Sequence, residues 1–168
     1  WTREDDLAAG WFKPMSAHLL RATINSETRV SAWHHRVAVQ EPLATAETII
    51  YEAIDRRPVV SMAGTEHHIY DFPKQLAEHM ETRPGIRTYS VLGVGWTPNK
   101  FAVEGFMNEL ANEQGVDPVK FRLQHLQHSA RGQEVLNTVA EMADWGKARA
   151  KGREVGVAFA EYHGTLIA

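Results

Sequence analysis

Residues 97–115 read TPNKFAVEGFMNELANEQG, and this stretch decides the architecture. Thr97 is a good N-cap residue, and Pro98 suits the first helical position because its missing N–H would have no intrahelical partner there. Ala102, Val103, Phe106, Met107, Leu110 and Ala111 then recur at helical spacing as one apolar stripe, and Gly115 stops the run. A long helix is predicted. Asp117-Pro118 repeats the same start signal ahead of a second helix, with Val119, Leu123 and Leu126 as its buried line. A third helix runs to Trp145, with Gly146 as terminator.

Upstream the periodicity changes from 3.6 to two. Residues 17–25 and 29–39 alternate, with Ser31, Trp33, His35, Val37 and Val39 on one face of the second, and Asn25-Ser26-Glu27-Thr28 supplies turn residues between them. An antiparallel hairpin is predicted. Ala46, Ile49, Ile50, Ala53 and Ile54 mark a short helix ending before Pro58. Two further strands, about 75–82 and 86–92, flank the turn-forming Arg83-Pro84-Gly85 and are expected to pair. Arg153 to His163 returns to strand character through Val155, Val157 and Phe159. The expected fold is α+β, a mixed or antiparallel sheet with three consecutive helices packed on it. No repeat or Pro/Ser-rich linker divides residues 1–168, so a single domain is expected.

Composition narrows the chemistry. The chain of 168 residues carries 18 Lys plus Arg against 21 Asp plus Glu, so its net charge of −3 argues against nucleic acid as a partner. It has no cysteine, which removes thiolate metal sites, iron–sulfur ligation and a Cys nucleophile from consideration. No run of about 18 apolar residues is present. The chain begins at Trp1 and stops at Ala168 just after an apolar run, and both ends read as cuts.

Nine histidines raise a metal reading at His34-His35, His67-His68 and His125/His128. Strand neighbours point to opposite faces, so His34 and His35 cannot chelate one ion, and no third ligand stands near His125 and His128; structural or solvated roles are expected. Glu66-His67-His68 with Tyr70-Asp71 holds acid–base groups but specifies no reaction. Gly93-Val94-Gly95, just ahead of the Thr97 helix start, allows two readings. It is a backbone cradle for an anionic group at a helix N-terminus, or a tight strand-to-helix turn, which these residues alone favour. It lacks the third glycine of a dinucleotide fingerprint and the Lys of a phosphate loop.

Several strings taken in order add a resemblance. WTREDDLAAGWFKP (1–14), HHIYDFP (67–73), GVGWTPNKFAVEGFMNELA (93–111), GVDPVKFRLQHL (115–126), VAEMADWG (139–146) and GREVGVAFAEYHGTLIA (152–168) resemble consecutive segments of the molybdopterin-binding large subunit in the xanthine dehydrogenase and aldehyde oxidase superfamily. Within that superfamily the chain resembles the isoquinoline 1-oxidoreductase beta type. The resemblance implies an internal fragment of an enzyme that oxidises aldehydes or hydroxylates carbon in N-heteroaromatic rings, with water as oxygen source. Electrons would pass from molybdenum to iron–sulfur centres on a partner subunit. It implies molybdopterin, in its cytosine dinucleotide form, as the parent's cofactor, and the remainder of the molybdenum subunit as a second partner. Compartment stays open, since similar proteins are cytoplasmic or, with a twin-arginine leader, periplasmic.

In such relatives the segment before the long helix reads apolar, Arg, Gly, apolar, Gly and passes along the molybdenum face. Here it reads Val91-Leu92-Gly93-Val94-Gly95, so Leu92 replaces the usual Arg and offers no guanidinium fork. Gly93 and Gly95 carry over as cofactor-binding positions and Val94 as a substrate-pocket position. The family's catalytic Glu lies in a later Gly-rich motif that this sequence does not contain, so no catalytic residue is assigned. Glu104 is expected to be structural, and Tyr70-Asp71-Phe72-Pro73 a conformational turn. The alternative is a stand-alone, non-catalytic binding or assembly module that keeps the scaffold. Either way, an isolated chain is expected to self-associate through surface a larger protein buries.

Overall fold

The computed structural model describes residues 1–65 and 69–168. The elements run α1 (Arg3–Ala9), β1 (Ser16–Ile24), β2 (Val30–Val39), α2 (Leu43–Ala46), α3 (Thr48–Ala53), β3 (Gln75–Glu81), α4 (Trp96–Glu113), α5 (Pro118–Gln124), α6 (Ala130–Met142), β4 (Ala160–Tyr162) and β5 (Thr165–Ile167). This is a mixed α+β fold, as the change of periodicity implied.

The predicted hairpin forms. β1 and β2 pair antiparallel with Ala22 opposite Trp33 and His18 opposite Val37, and a bulge lies at Thr23/Ile24. Val30, Trp33, His35, Val37 and Val39 are buried on one face of β2. The long helix covers that face, and Val103, Met107, Leu110 and Ala111 join Val30, Trp33 and Phe72 in one core. Trp33 stacks on Phe72 with ring centroids 4.7 Å apart. α4 packs on β1, α5 on α4 and α6 on α5.

Helix boundaries follow local capping. Asp117 caps α5 by accepting from Val119 N (2.9 Å) and Lys120 N (3.0 Å), while its other oxygen accepts from Trp145 Nε1 at 2.7 Å. Ser129 caps α6 through Gly132 N. α6 stops at Met142 rather than Trp145. α4 starts at Trp96, with Gly95 at the cap, so Thr97 is not the N-cap; its hydroxyl instead turns back to Leu92 O at 3.4 Å.

Three further expectations are corrected. Residues 75–82 and 86–92 do not form a hairpin: β3 pairs in parallel with β2, Trp33 opposite Gln75, and 86–92 is left with one bridge, Phe12 to Thr88. The Pro-Gly turn was a local signal, and the long-range partner β2 outcompeted it. The helix at 46–57 breaks at Glu47 into two short pieces, and Ile49 and Ile50 face solvent. The strand expected at 153–163 shrinks to β4, which pairs with β5. Among the described residues, no helix is long and apolar enough to cross a membrane.

α1 has no counterpart in the expectations. A capping box makes it, with Thr2 Oγ1 accepting from Asp5 N while Asp5 Oδ2 accepts from Thr2 N.

Candidate functional site

The 91–95 loop connects the irregular 86–92 segment to α4. Val94 N donates to Val91 O at 2.9 Å, and Gly93 and Val94 both sit at positive φ, +75° and +39°. Gly93 adopts this region freely, whereas Val94 is a β-branched residue held where such side chains are rare, so the surrounding contacts must impose it. A Cβ at Gly95 would lie 2.4 Å from Val60 O and 2.5 Å from Ser61 O, so this position must be glycine for the loop to lie against residues 60–61. Asn99, one turn into α4, fixes the same contact by donating its Nδ2 to Ser61 O (2.8 Å) and Ala63 O (2.9 Å).

A cation reaches this loop from the other end of the sequence. Lys13 Nζ donates to Leu92 O at 2.9 Å. The Leu92 side chain itself is 90% exposed. Leu92 also ends an exposed apolar strip that includes Trp11, Phe12, Ile86, Tyr89 and Val91. The two segments run side by side, since Phe12 N donates to Arg87 O, Tyr89 N donates to Phe12 O, and the Trp11 and Tyr89 rings lie 5.9 Å apart.

These residues do not amount by themselves to a holding site for a pterin–molybdenum group. A Cβ at Gly93 would meet Thr97 Oγ1 at 2.3 Å, and one at Gly95 would meet backbone carbonyls, so both glycines are occupied by the protein's own chain rather than opening a cradle. Their role here is to shape the loop. Val94 lines a small cleft with Lys13, Ser16, Ser61 and Asn99.

The other sequence-derived candidates have structural positions. Glu104 Oε2 accepts from Arg122 Nε (2.9 Å) and Phe159 N (2.7 Å), and its Oε1 accepts from Tyr70 OH (2.8 Å). Arg122 also donates to Asn108 Oδ1, Pro118 O and Glu104 O. The node is buried, and burial beside the Glu104 carboxylate holds the Tyr70 phenol well above its ordinary value. His125 donates from Nδ1 back to Phe121 O within α5 (2.8 Å) and accepts at Nε2 from Val30 N (2.9 Å), so the second bond ties the end of α5 to β2. His35 points inward while His34 joins Arg36 on Glu78 on the opposite face. Glu66, His67 and His68 lie outside the described residues.

Sequence reasoning missed Lys13, Asn99 and the chain Ser16–His18–His35. In that chain His18 Nε2 is 2.9 Å from Ser16 Oγ, and His18 Nδ1 is 2.9 Å from His35 Nε2. β1 starts at Ser16, one residue ahead of the predicted strand, so Ser16 and His18 share a face, and their partner on β2 depends on register. Burial, with smaller contributions from the nearby His18 and His34, pushes His35 down to about 4. Burial also lowers His18, so both shifts favour the neutral imidazole.

No family model matches the chain. It is 31% identical over its whole length to the beta subunit of isoquinoline 1-oxidoreductase from Brevundimonas diminuta, covering 22% of that protein. Over 73% of its length it is 30% identical to the B subunit of nicotinate dehydrogenase from Pseudomonas putida, covering 10%. Over 87% it is 28% identical to a membrane-bound, pyrroloquinoline-quinone aldehyde dehydrogenase of Gluconacetobacter polyoxogenes, covering 21%. The chain thus spans about a fifth or less of the length of these curated relatives.

Proposed function

The chain belongs to the molybdopterin-type oxidoreductases that include the beta subunit of isoquinoline 1-oxidoreductase, and from that premise we propose that it forms one wall of the catalytic subunit of a molybdenum hydroxylase. The overall reaction is oxidation of an aldehyde, or hydroxylation of a carbon in an N-heteroaromatic ring. One C–H becomes C–OH, the oxygen comes from water, and two electrons and two protons leave. Electrons pass on to iron–sulfur centres of a partner subunit. Molybdopterin, as the cytosine dinucleotide, supplies the redox chemistry when bound.

The observation that carries this reading is similarity along the whole chain to a protein named for isoquinoline oxidation, supported by relatives named for nicotinate and for aldehydes. The structure supports a wall in particular. Trp11, Phe12, Ile86, Tyr89, Val91 and Leu92 are exposed on two neighbouring segments, which makes this face the candidate for surface that another body covers. In this reading the covering body is the rest of the subunit with its cofactor, Val94 lines the substrate pocket, and Gly93 and Gly95 set the loop's path along the cofactor. In this reading Glu104 is not the catalytic carboxylate, because it is committed to Arg122 and Tyr70.

A second reading, a non-catalytic assembly module, is favoured by Leu92 in place of Arg and by the closed glycine turn. Molybdenum and pterin analysis of the protein purified from its own host separates the two. About one molybdenum per subunit, with oxidation of isoquinoline, nicotinate or an aldehyde in H2(18)O placing the label in product, is the expected result. A metal-free protein overturns the hydroxylase reading, and so does one carrying pyrroloquinoline quinone, the group in the third relative's name.

A further inference from the structure

A fully buried acceptor stands without a partner beside the 91–95 loop. Asn99 is fully buried, its Nδ2 is committed to the carbonyls of Ser61 and Ala63, and its Oδ1 has no hydrogen-bond partner among the described residues. The two carbonyls fix the orientation of the amide, so a flip cannot relieve the oxygen. Leaving such an oxygen dry is costly, and native structures almost always satisfy one.

Asn99 lines the same small cleft as Ser16, Lys13, Ser61 and Val94, and the cleft encloses about 10 Å³. That is close to the least space that admits one water molecule. Ser16, which lines the same cleft, ends the hydrogen-bonded chain that runs through the two histidines. One proton arrangement leaves an orphaned N–H at the buried His35 Nδ1, which has no partner; the other leaves a bare nitrogen there. Orphaned buried donors are the rarer of the two. The second arrangement makes His35 Nε2 the donor to His18 Nδ1, and His18 Nε2 the donor to Ser16 Oγ. The Ser16 hydroxyl proton is thereby released to donate elsewhere.

We infer that the cleft is a binding site for a single water molecule, which accepts from the Ser16 hydroxyl and donates to Asn99 Oδ1. It joins strand β1 to the first turn of α4 behind Val94, and so completes a polar path from His35 through His18 and Ser16 to Asn99. The site does not rest on the oxidoreductase reading, because every group in it belongs to this chain.

A crystal structure of the protein from its own host, at a resolution that shows ordered water, tests this directly. The expected result is one isolated density peak at roughly 2.7–3.0 Å from both Ser16 Oγ and Asn99 Oδ1. A cleft without density, or density for a larger group, overturns it. Asn99→Leu risks the fold, because the amide also holds residues 61 and 63, so Ser16→Ala is the companion variant. The peak is expected to vanish or move in Ser16→Ala; an unmoved peak at full strength overturns the assignment of Ser16 as its donor. Molybdenum content does not enter either readout, so failure here and failure of the hydroxylase reading are distinguishable.

Discussion

The Glu104–Arg122 node and the 91–95 loop sit at opposite ends of the same logic. At the node, two opposite charges and a phenol are taken out of water, and nearly every donor and acceptor finds a partner on α4, α5 or the segment before β4. At the loop, large apolar side chains stay in water and a valine is held at positive φ. The first region is complete within this chain. The second is the region on which the proposed wall rests.

The contrast can be broken by substitution. Glu104→Ala leaves the buried Arg122 guanidinium without its carboxylate and strands Tyr70 OH and Phe159 N, so a loss of about 3–5 kcal/mol is expected in urea unfolding. A loss below about 1 kcal/mol would mean the node is not where stability resides.

Acid gives the next largest effect. His35 titrates near 4 folded and near 6.5 unfolded, so the unfolded chain binds the extra proton first. The stabilisation is fully present above about 6.5 and is lost as pH falls toward 4, to a limit of about 3 kcal/mol. Between pH 7 and 4.5, His35→Gln should show a shallower fall in unfolding free energy than wild type, and parallel curves would refute the buried neutral imidazole. Gly95→Ala forces its methyl into two backbone carbonyls and is expected to cost about 1–3 kcal/mol. Gly105→Ala, on the exposed face of α4 with open space around it, should instead stabilise by about 0.5–1 kcal/mol. Smallest of all, Leu92→Ser should stay within about 0.5 kcal/mol of wild type in unfolding.

What was legible in the sequence divides along the same line. The β1–β2 hairpin and α4 could be read because one periodicity and one turn or terminator lie within a dozen or so residues. The parallel pairing of β3 with β2 could not, since it joins Trp33 to Gln75 and no local pattern encodes it. α1 was legible in principle, because Thr2 and Asp5 form a capping box within four residues. At the site, Gly93, Val94 and Gly95 were singled out, but their fit against residues 60–61 and Thr97 is a tertiary fact, as is Lys13 reaching Leu92 from 79 residues away. Glu104 was expected to be structural, yet its pairing with Arg122 crosses two helices and left no mark in spacing.

The claim that the strip is an internal wall is tested most directly by hydroxyl-radical footprinting of the protein from its own host, with the same protein in denaturant as reference. Trp11 and Tyr89 are expected to be strongly protected in the native protein, although they are 51% and 39% exposed in this chain. Oxidation of both at the rate their present exposure allows would show that nothing covers the strip, and the wall reading would fall with it.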